Sequence, residues 1–187
     1  AYNSNLRHIG GAGVARGLLE SARLNNKLFL DEMDHPTELG VLHGGMKVYP
    51  PYESLQILRR NTLVSFLSGM GFWYYDFGPF NTSGWWYEPY YVDEIKSLQK
   101  IYNKYYEKEY IKRADVLLVF DTKVQKYTAL TENADPITDK ACINVAYPMA
   151  LRSGASMDTI YLSDLGTTKL DKYKCIIFMN TFALTDT

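Results

Sequence analysis

The 187-residue chain reads as an α/β protein with parallel sheets, and three observations carry that reading. Two short apolar runs, Lys27-Leu28-Phe29-Leu30 and Gly71-Phe72-Trp73-Tyr74-Tyr75, end abruptly in carboxylates, as buried parallel strands do where they emerge at a polar face. The segment between them carries a helical apolar stripe, which makes strand, helix, strand. From Ala114 the alternation of strand and helix starts again, so a second sheet is expected over 114–187 and a first unit over 1–113.

Taken in order, Val14 to Asn25 predicts a short helix with Leu18, Leu19 and Ala22 on one stripe. The first strand should occupy Lys27 to Met33. Alternation then places Leu28, Leu30, Glu32 and Asp34 on one face and Phe29, Asp31 and Met33 on the other. Glycines and prolines between Glu38 and Pro51 predict a loop over that strand's end. A helix over Tyr52 to Met70 follows, with Leu55, Leu58, Val64, Leu67 and Met70 on its stripe and Gly69 and Gly71 placed to stop it. The second strand, Gly71 to Asp76, sets Phe72, Tyr74 and Asp76 opposite Trp73 and Tyr75, and a long helix runs from about Val92 to Arg113.

In the second unit Val116 to Phe120 is a strand, and a helix opens at Asp135-Pro136, an N-cap followed by a first helical position, to end near Gly154. Strands over Thr159 to Leu162 and Cys175 to Met179 complete what reads as the first half of a doubly wound sheet. Cys142 and Cys175 each sit in an apolar run, where a small buried hydrophobe serves as well, so neither a disulfide framework nor a metal site is expected.

Composition narrows the partners. Lys and Arg number 20 against 21 Asp and Glu, a net charge of −1 that gives no footprint for nucleic acid. No window approaches eighteen consecutive apolar residues, and the first residues lack the charged and apolar regions of a signal peptide, so no membrane partner is expected. Aromatic residues reach 14%, with 16 Tyr, and many are clustered, which suits stacking on flat ligands.

Three acidic residues crowd the end of LFLDEMD. Held at a buried strand end they need pairing, hydrogen bonds or a use. In a parallel α/β barrel the carboxyl ends of the strands build the site, and the neighbouring strand delivers Trp73, Tyr75 and Asp76 there, with Trp85 and Trp86 in its loop. Carboxylates beside aromatic rings match a pyranose, which offers an apolar face and a rim of hydroxyls. Arg7 is a further candidate, for a carboxylate or a sugar hydroxyl. Phosphate ligands would call for a glycine nest after a strand, and Gly10-Gly11-Ala12-Gly13 has no strand before it. The three histidines, His8, His35 and His43, lack ligand spacing, and no GxSxG occurs. No cofactor is expected.

On KLFLDEMDHPT, LRRNTLVSFLSGMG, GFWYYDFGP and the GWW after it, the chain resembles the β-galactosidase-like glycoside hydrolases of clan A, in particular glycoside hydrolase family 42. ADVLLVFD and DTIYLSDLGTTKLDKYKCIIFMNTFALTD resemble the opening strands of the flavodoxin-like domain that follows the barrel there and often mediates trimer formation. The resemblance implies the last two β/α units of a TIM barrel over 1–113 and a partial flavodoxin-like domain over 114–187. It makes Glu32 the catalytic nucleophile and Trp73 and Asp76 part of the sugar subsite; on the reading of the residues themselves Asp34 is a further hydroxyl or charge partner, Tyr75, Trp85 and Trp86 are stacking surfaces, and Arg7 is an anchor for a carboxylate or a sugar hydroxyl. The substrate is then an oligo- or polysaccharide. Retaining glycosidases need two carboxyls roughly 5 to 5.5 Å apart, and the acid/base partner of Glu32 is expected upstream of Ala1. The alternatives are a non-catalytic carbohydrate-binding or assembly module and a flavodoxin-like nucleotide or flavin binder over 114–187. The second is disfavoured by the absence of glycine in the turn after Phe120.

Overall fold

The computed structural model describes residues 8–13, 17–35, 37–40, 49–76, 84–108, 113–128 and 136–182, and the chain is mixed α/β with parallel strands in two small sheets. It divides into two compact units, Ala1–Arg16 with Phe29–Ile111, and Gly17–Leu28 with Lys112–Thr187.

In the first unit β1 (Leu30–Met33) pairs in parallel with β2 (Gly71–Tyr74), joined through α2 (Pro51–Leu67) and followed by α3 (Pro89–Tyr105). β1 starts three residues later than the apolar run predicts. Its partner sets the limit, because Leu30 pairs with Gly71, and the residues just before Gly71 belong to the turn that ends α2. That turn is a Schellman motif: Gly69 has φ of 68°, its N–H donates to the Phe66 carbonyl, and the Met70 N–H donates to the Ser65 carbonyl. Pro89 stands at the first helical position of α3, three residues ahead of the predicted start, and α3 closes at Tyr105 rather than running on to Arg113.

The two faces of this strand pair differ. Asp31 and Met33 are buried, and α2 closes their side: Ser65 Oγ donates to Asp31 Oδ2 at 2.8 Å, and Thr62 Oγ1 and Tyr74 Oη lie 3.0 Å apart. Phe72, on the same side, meets Tyr102 of α3 edge to face at 5.6 Å. The opposite face carries Leu30, 60% exposed, with half-buried Glu32 and Trp73, 56% exposed. Leu58, Trp85, Trp86, Tyr91 and Leu98 form the core beneath the helices.

In the second unit β3 (Val116–Phe120) lies between β4 (Met157–Tyr161) and β5 (Cys175–Phe178), all parallel, in the spatial order β4-β3-β5. β4 begins two residues earlier than predicted because its Asp158 carboxylate, although buried, accepts from Tyr173 Oη at 2.8 Å and lies 3.2 Å from Lys172 Nζ. Pro136–Ala146 winds as a π-helix and runs into α4 (Tyr147–Leu151), with Gly154 at φ of 82° just past its end. α1 (Leu19–Leu24) packs against β4 and so belongs to this unit, not to the barrel-like half in which the sequence placed it. Its Ser21 Oγ accepts the Tyr161 N–H at 2.7 Å. Cys142 is buried as expected, but Cys175 is exposed, at the start of β5, which pairs only with β3 among the described residues.

Candidate active site

The carboxyl ends of β1 and β2 lie side by side, and Glu32 is the direct register partner of Trp73. Alternation along parallel neighbours sends register partners to the same face, so the Glu32 carboxylate and the Trp73 indole share the face that α2 leaves uncovered. Asp34 shares the parity of Glu32 but lies beyond the strand. There the chain folds back, the Asp34 N–H donates to the Glu32 carbonyl, and Asp34 is fully buried.

Among the other predicted site residues, Asp76 and Tyr75 organise the loop after β2. Asp76 Oδ1 accepts the Trp85 N–H at 3.1 Å, and the Tyr75 carbonyl accepts Trp86 Nε1 at 3.0 Å. Gly84, at φ of 89°, is required by that arrangement, since a β-carbon on it would stand 2.4 Å from Asp76 Oδ2. Trp85 is only 1% exposed and Trp86 is buried beside it, Trp86 meeting His35 at 4.9 Å and Tyr91 at 5.8 Å, both edge to face. Their rings fill core and offer no flat face to a sugar; the loop was read as a stacking platform because two adjacent tryptophans have no periodicity to betray burial. Arg7 lies outside the described residues.

Sequence reasoning passed over the ties between the loops after β1 and β2. Thr37 Oγ1 donates to the Trp85 carbonyl, and the Glu38 carboxylate accepts the hydroxyls of Tyr90 and Tyr91. Burial first, and then these bonds to a negative carboxylate, hold both phenols well above the ordinary tyrosine range. The available signal was Pro89, which would have drawn Tyr90 and Tyr91 into the first turn of α3.

Two rival sites take a different form from a phosphate cradle. Gly10-Gly11-Ala12-Gly13 wraps a cation, with Arg60 Nη1 donating to the carbonyls of His8 and Gly11 at 2.6 and 2.9 Å. That turn aims carbonyls, where an anion needs amides. At the ends of β3 and β5, Asn180 Nδ2 donates to the Asp121 carbonyl and Asn180 Oδ1 accepts the Asp121 N–H, both at 2.8 Å, while Asp121 Oδ1 accepts the Lys123 N–H. A buried carboxylate with its amides engaged gives phosphate no seat. Among the described residues no helix is long and apolar enough to cross a membrane, and no three His, Cys, Asp or Glu side chains are grouped to hold a metal. Comparison with models of known protein families, with curated proteins and with solved structures finds no match.

Proposed function

We propose that the protein carrying this chain hydrolyses glycosidic bonds with retention, in the manner of β-galactosidase-like enzymes, with Glu32 as nucleophile and Trp73 as a stacking surface for the sugar. The observation that supports this is the pairing of Glu32 with Trp73 near the carboxyl ends of two adjacent parallel strands, on the face opposite the one that α2 covers, where Trp73 is exposed. A carboxylate beside an open indole presents both things that a pyranose at an oxocarbenium-like transition state needs, an anion for the anomeric carbon and an apolar floor for the ring. Asp34 and the Glu38–Tyr91 contact lie on the segment just after Glu32 and hold its course.

The fold reading belongs with this proposal. β1, α2, β2 and α3 supply the last two β/α units of a TIM barrel, with Leu30, Glu32 and Trp73 facing its interior. The order β4-β3-β5, second, first and third in the chain, is that of an opening flavodoxin-like sheet. The acid/base carboxyl comes from another part of the barrel, and the substrate is a neutral oligo- or polysaccharide.

The direct test is to incubate the protein with an aryl 2-deoxy-2-fluoro-β-galactoside, which slows breakdown of a glycosyl intermediate, and to map the adduct by peptide mass spectrometry. A glycosylated peptide containing Glu32 is the expected result. Turnover of the parent aryl galactoside with a label on any other carboxylate overturns the assignment. Sugar binding without any turnover would favour a carbohydrate-binding module.

A further inference from the structure

The aromatic rings of the first unit meet in a continuous path around Trp86. Trp86 is buried, and its ring lies 5.8 Å from Tyr91 and 5.7 Å from Tyr74, centroid to centroid; Tyr91 in turn lies 4.6 Å from Tyr90, which is 37% exposed. Rings in contact exchange an electron readily, and indoles and phenols are among the side chains that give one up. Where such a path leads is decided by the proton. An oxidised indole or phenol is a strong acid, so the radical settles where a base stands in hydrogen-bond reach to take that proton.

The partners of the three neighbouring rings differ in this respect. Trp86 Nε1 donates to the Tyr75 carbonyl at 3.0 Å, and a carbonyl is too weak a base to keep that proton. The oxidised indole therefore retains a positive charge in a buried setting, which makes it a stronger oxidant. Tyr74 offers no outlet, since its hydroxyl lies 3.0 Å from Thr62 Oγ1, another hydroxyl. Tyr91 does. Its hydroxyl and that of Tyr90 donate to the two oxygens of one carboxylate, Tyr91 to Glu38 Oε2 and Tyr90 to Glu38 Oε1. Burial and that carboxylate keep both phenols protonated at neutral pH, so electron and proton have to leave them together.

We propose that Trp86, Tyr91, Tyr90 and Glu38 form a proton-coupled path that carries oxidising equivalents out of the core of the first unit. A one-electron oxidant of the oxyl-radical class removes an electron from Trp86. Tyr91 then gives an electron to the Trp86 radical cation and a proton to Glu38, which leaves neutral Trp86, a Tyr91 phenoxyl radical and a neutral Glu38 carboxyl. Next an electron passes from Tyr90 to Tyr91, while Glu38 returns a proton to Tyr91 through Oε2 and takes one from Tyr90 through Oε1. A thiolate in solution gives its electron to the exposed Tyr90 radical and becomes a thiyl radical; the proton comes back from Glu38, and all four side chains are restored. The inference stands apart from the hydrolase reading, since neither Glu32 nor Trp73 takes part.

Pulse radiolysis of the full 187-residue chain in azide solution tests it, because azide radicals oxidise indoles ahead of phenols. The expected result is a phase in which indolyl absorption decays as tyrosyl absorption grows, at a rate independent of protein concentration and slower in deuterium oxide. Tyr91→Phe and Glu38→Gln should each slow that phase about tenfold or more, and Tyr74→Phe should leave it unchanged. Tyr90→Phe should keep the phase and slow the repair of the tyrosyl radical by added thiol. The concentration and isotope dependences are read on the wild-type chain and need no substitution. A conversion whose rate rises with protein concentration, the absence of an isotope effect, or a folded Tyr91→Phe chain that converts at the wild-type rate would each overturn the proposal.

Discussion

Replacing Trp85 and Trp73 separately by alanine distinguishes a ring that builds the core from one that is available to a ligand. Trp85 is 1% exposed and packs with Leu58, Trp86, Tyr91 and Leu98, whereas Trp73 is 56% exposed. A fully buried tryptophan removes up to about 250 Å² from water, which at about 25 cal/mol per Å² sets an upper limit of ~6 kcal/mol. Because the enclosed site collapses only in part, measured truncations of this kind cost about 3–5 kcal/mol, and that is the expectation for Trp85→Ala. Trp73→Ala loses at most about half that area and leaves no enclosed void, so about 1 kcal/mol is expected. The assay is urea unfolding followed by tryptophan fluorescence. The chain's 3 tryptophans, at 73, 85 and 86, all lie in the first unit, so the signal reports that unit alone. With m near 2 kcal/mol/M, Trp85→Ala should lower the midpoint by about 2 M and Trp73→Ala by about 0.5 M. Equal shifts, or a loss below about 1.5 kcal/mol for Trp85→Ala, would refute the assignment of Trp85 to the core.

Further outcomes follow from single contacts. Gly84→Ala should cost about 1–3 kcal/mol and separate Asp76 from the Trp85 amide, seen in the same unfolding assay, since the residue combines a left-handed φ with a 2.4 Å approach. Burial pushes the Tyr147 phenol up to about 12 from an ordinary value near 10, so its contribution to stability is intact below pH 10 and is lost as pH rises through 12. Tyr147→Phe should flatten the fall in stability over that window by about 2 kcal/mol, checked by urea titrations followed by far-ultraviolet circular dichroism between pH 9 and 12. Asp158→Ala should destabilise the second unit by about 1–3 kcal/mol, because the Tyr173 hydroxyl loses its buried acceptor. On the proposed glycosidase function, Glu32→Gln should lower kcat on the order of 10⁴-fold, whereas Trp73→Ala should raise KM more than it lowers kcat. Retention of a tenth of the rate by Glu32→Gln would exclude Glu32 as nucleophile.

Much of the framework was legible because period and punctuation agreed. Val116 to Phe120 reads as a strand from its uninterrupted apolar run, and Gly69 marks the end of α2 because only a left-handed residue completes a Schellman turn. Glu32 and Trp73 could be placed near neighbouring strand ends since each apolar run stops at carboxylates, Asp31-Glu32 after Leu30 and Asp76 after Tyr75. What escaped the sequence was set by tertiary contact. Asp158 lies outside the predicted bounds of β4, its partners being supplied from residues 172 and 173, and the environment of Trp85 depends on a carboxylate nine residues before it and a threonine 48 residues before it. The grouping of α1 was hidden for the same reason, since its stripe shows that one face is covered and is silent on which sheet covers it.

That grouping has a consequence for how the protein is made. Ser21 and Tyr161 are 140 residues apart in sequence, and the chain enters the second unit at Gly17, leaves it at Leu28 and returns at Lys112. At about 5–20 residues per second, α1 is made roughly 7–27 s before the strand it covers has been synthesised. Through that interval a six-residue helix has no face to bind, and helices so short do not persist in water on their own. Residues 17–28 therefore remain unstructured through the interval in which the residues of the first unit, interrupted in sequence by this same segment, are being completed. The second unit's sheet is sealed along β4 only as a late event, and a cut at residue 112 would leave that edge uncovered.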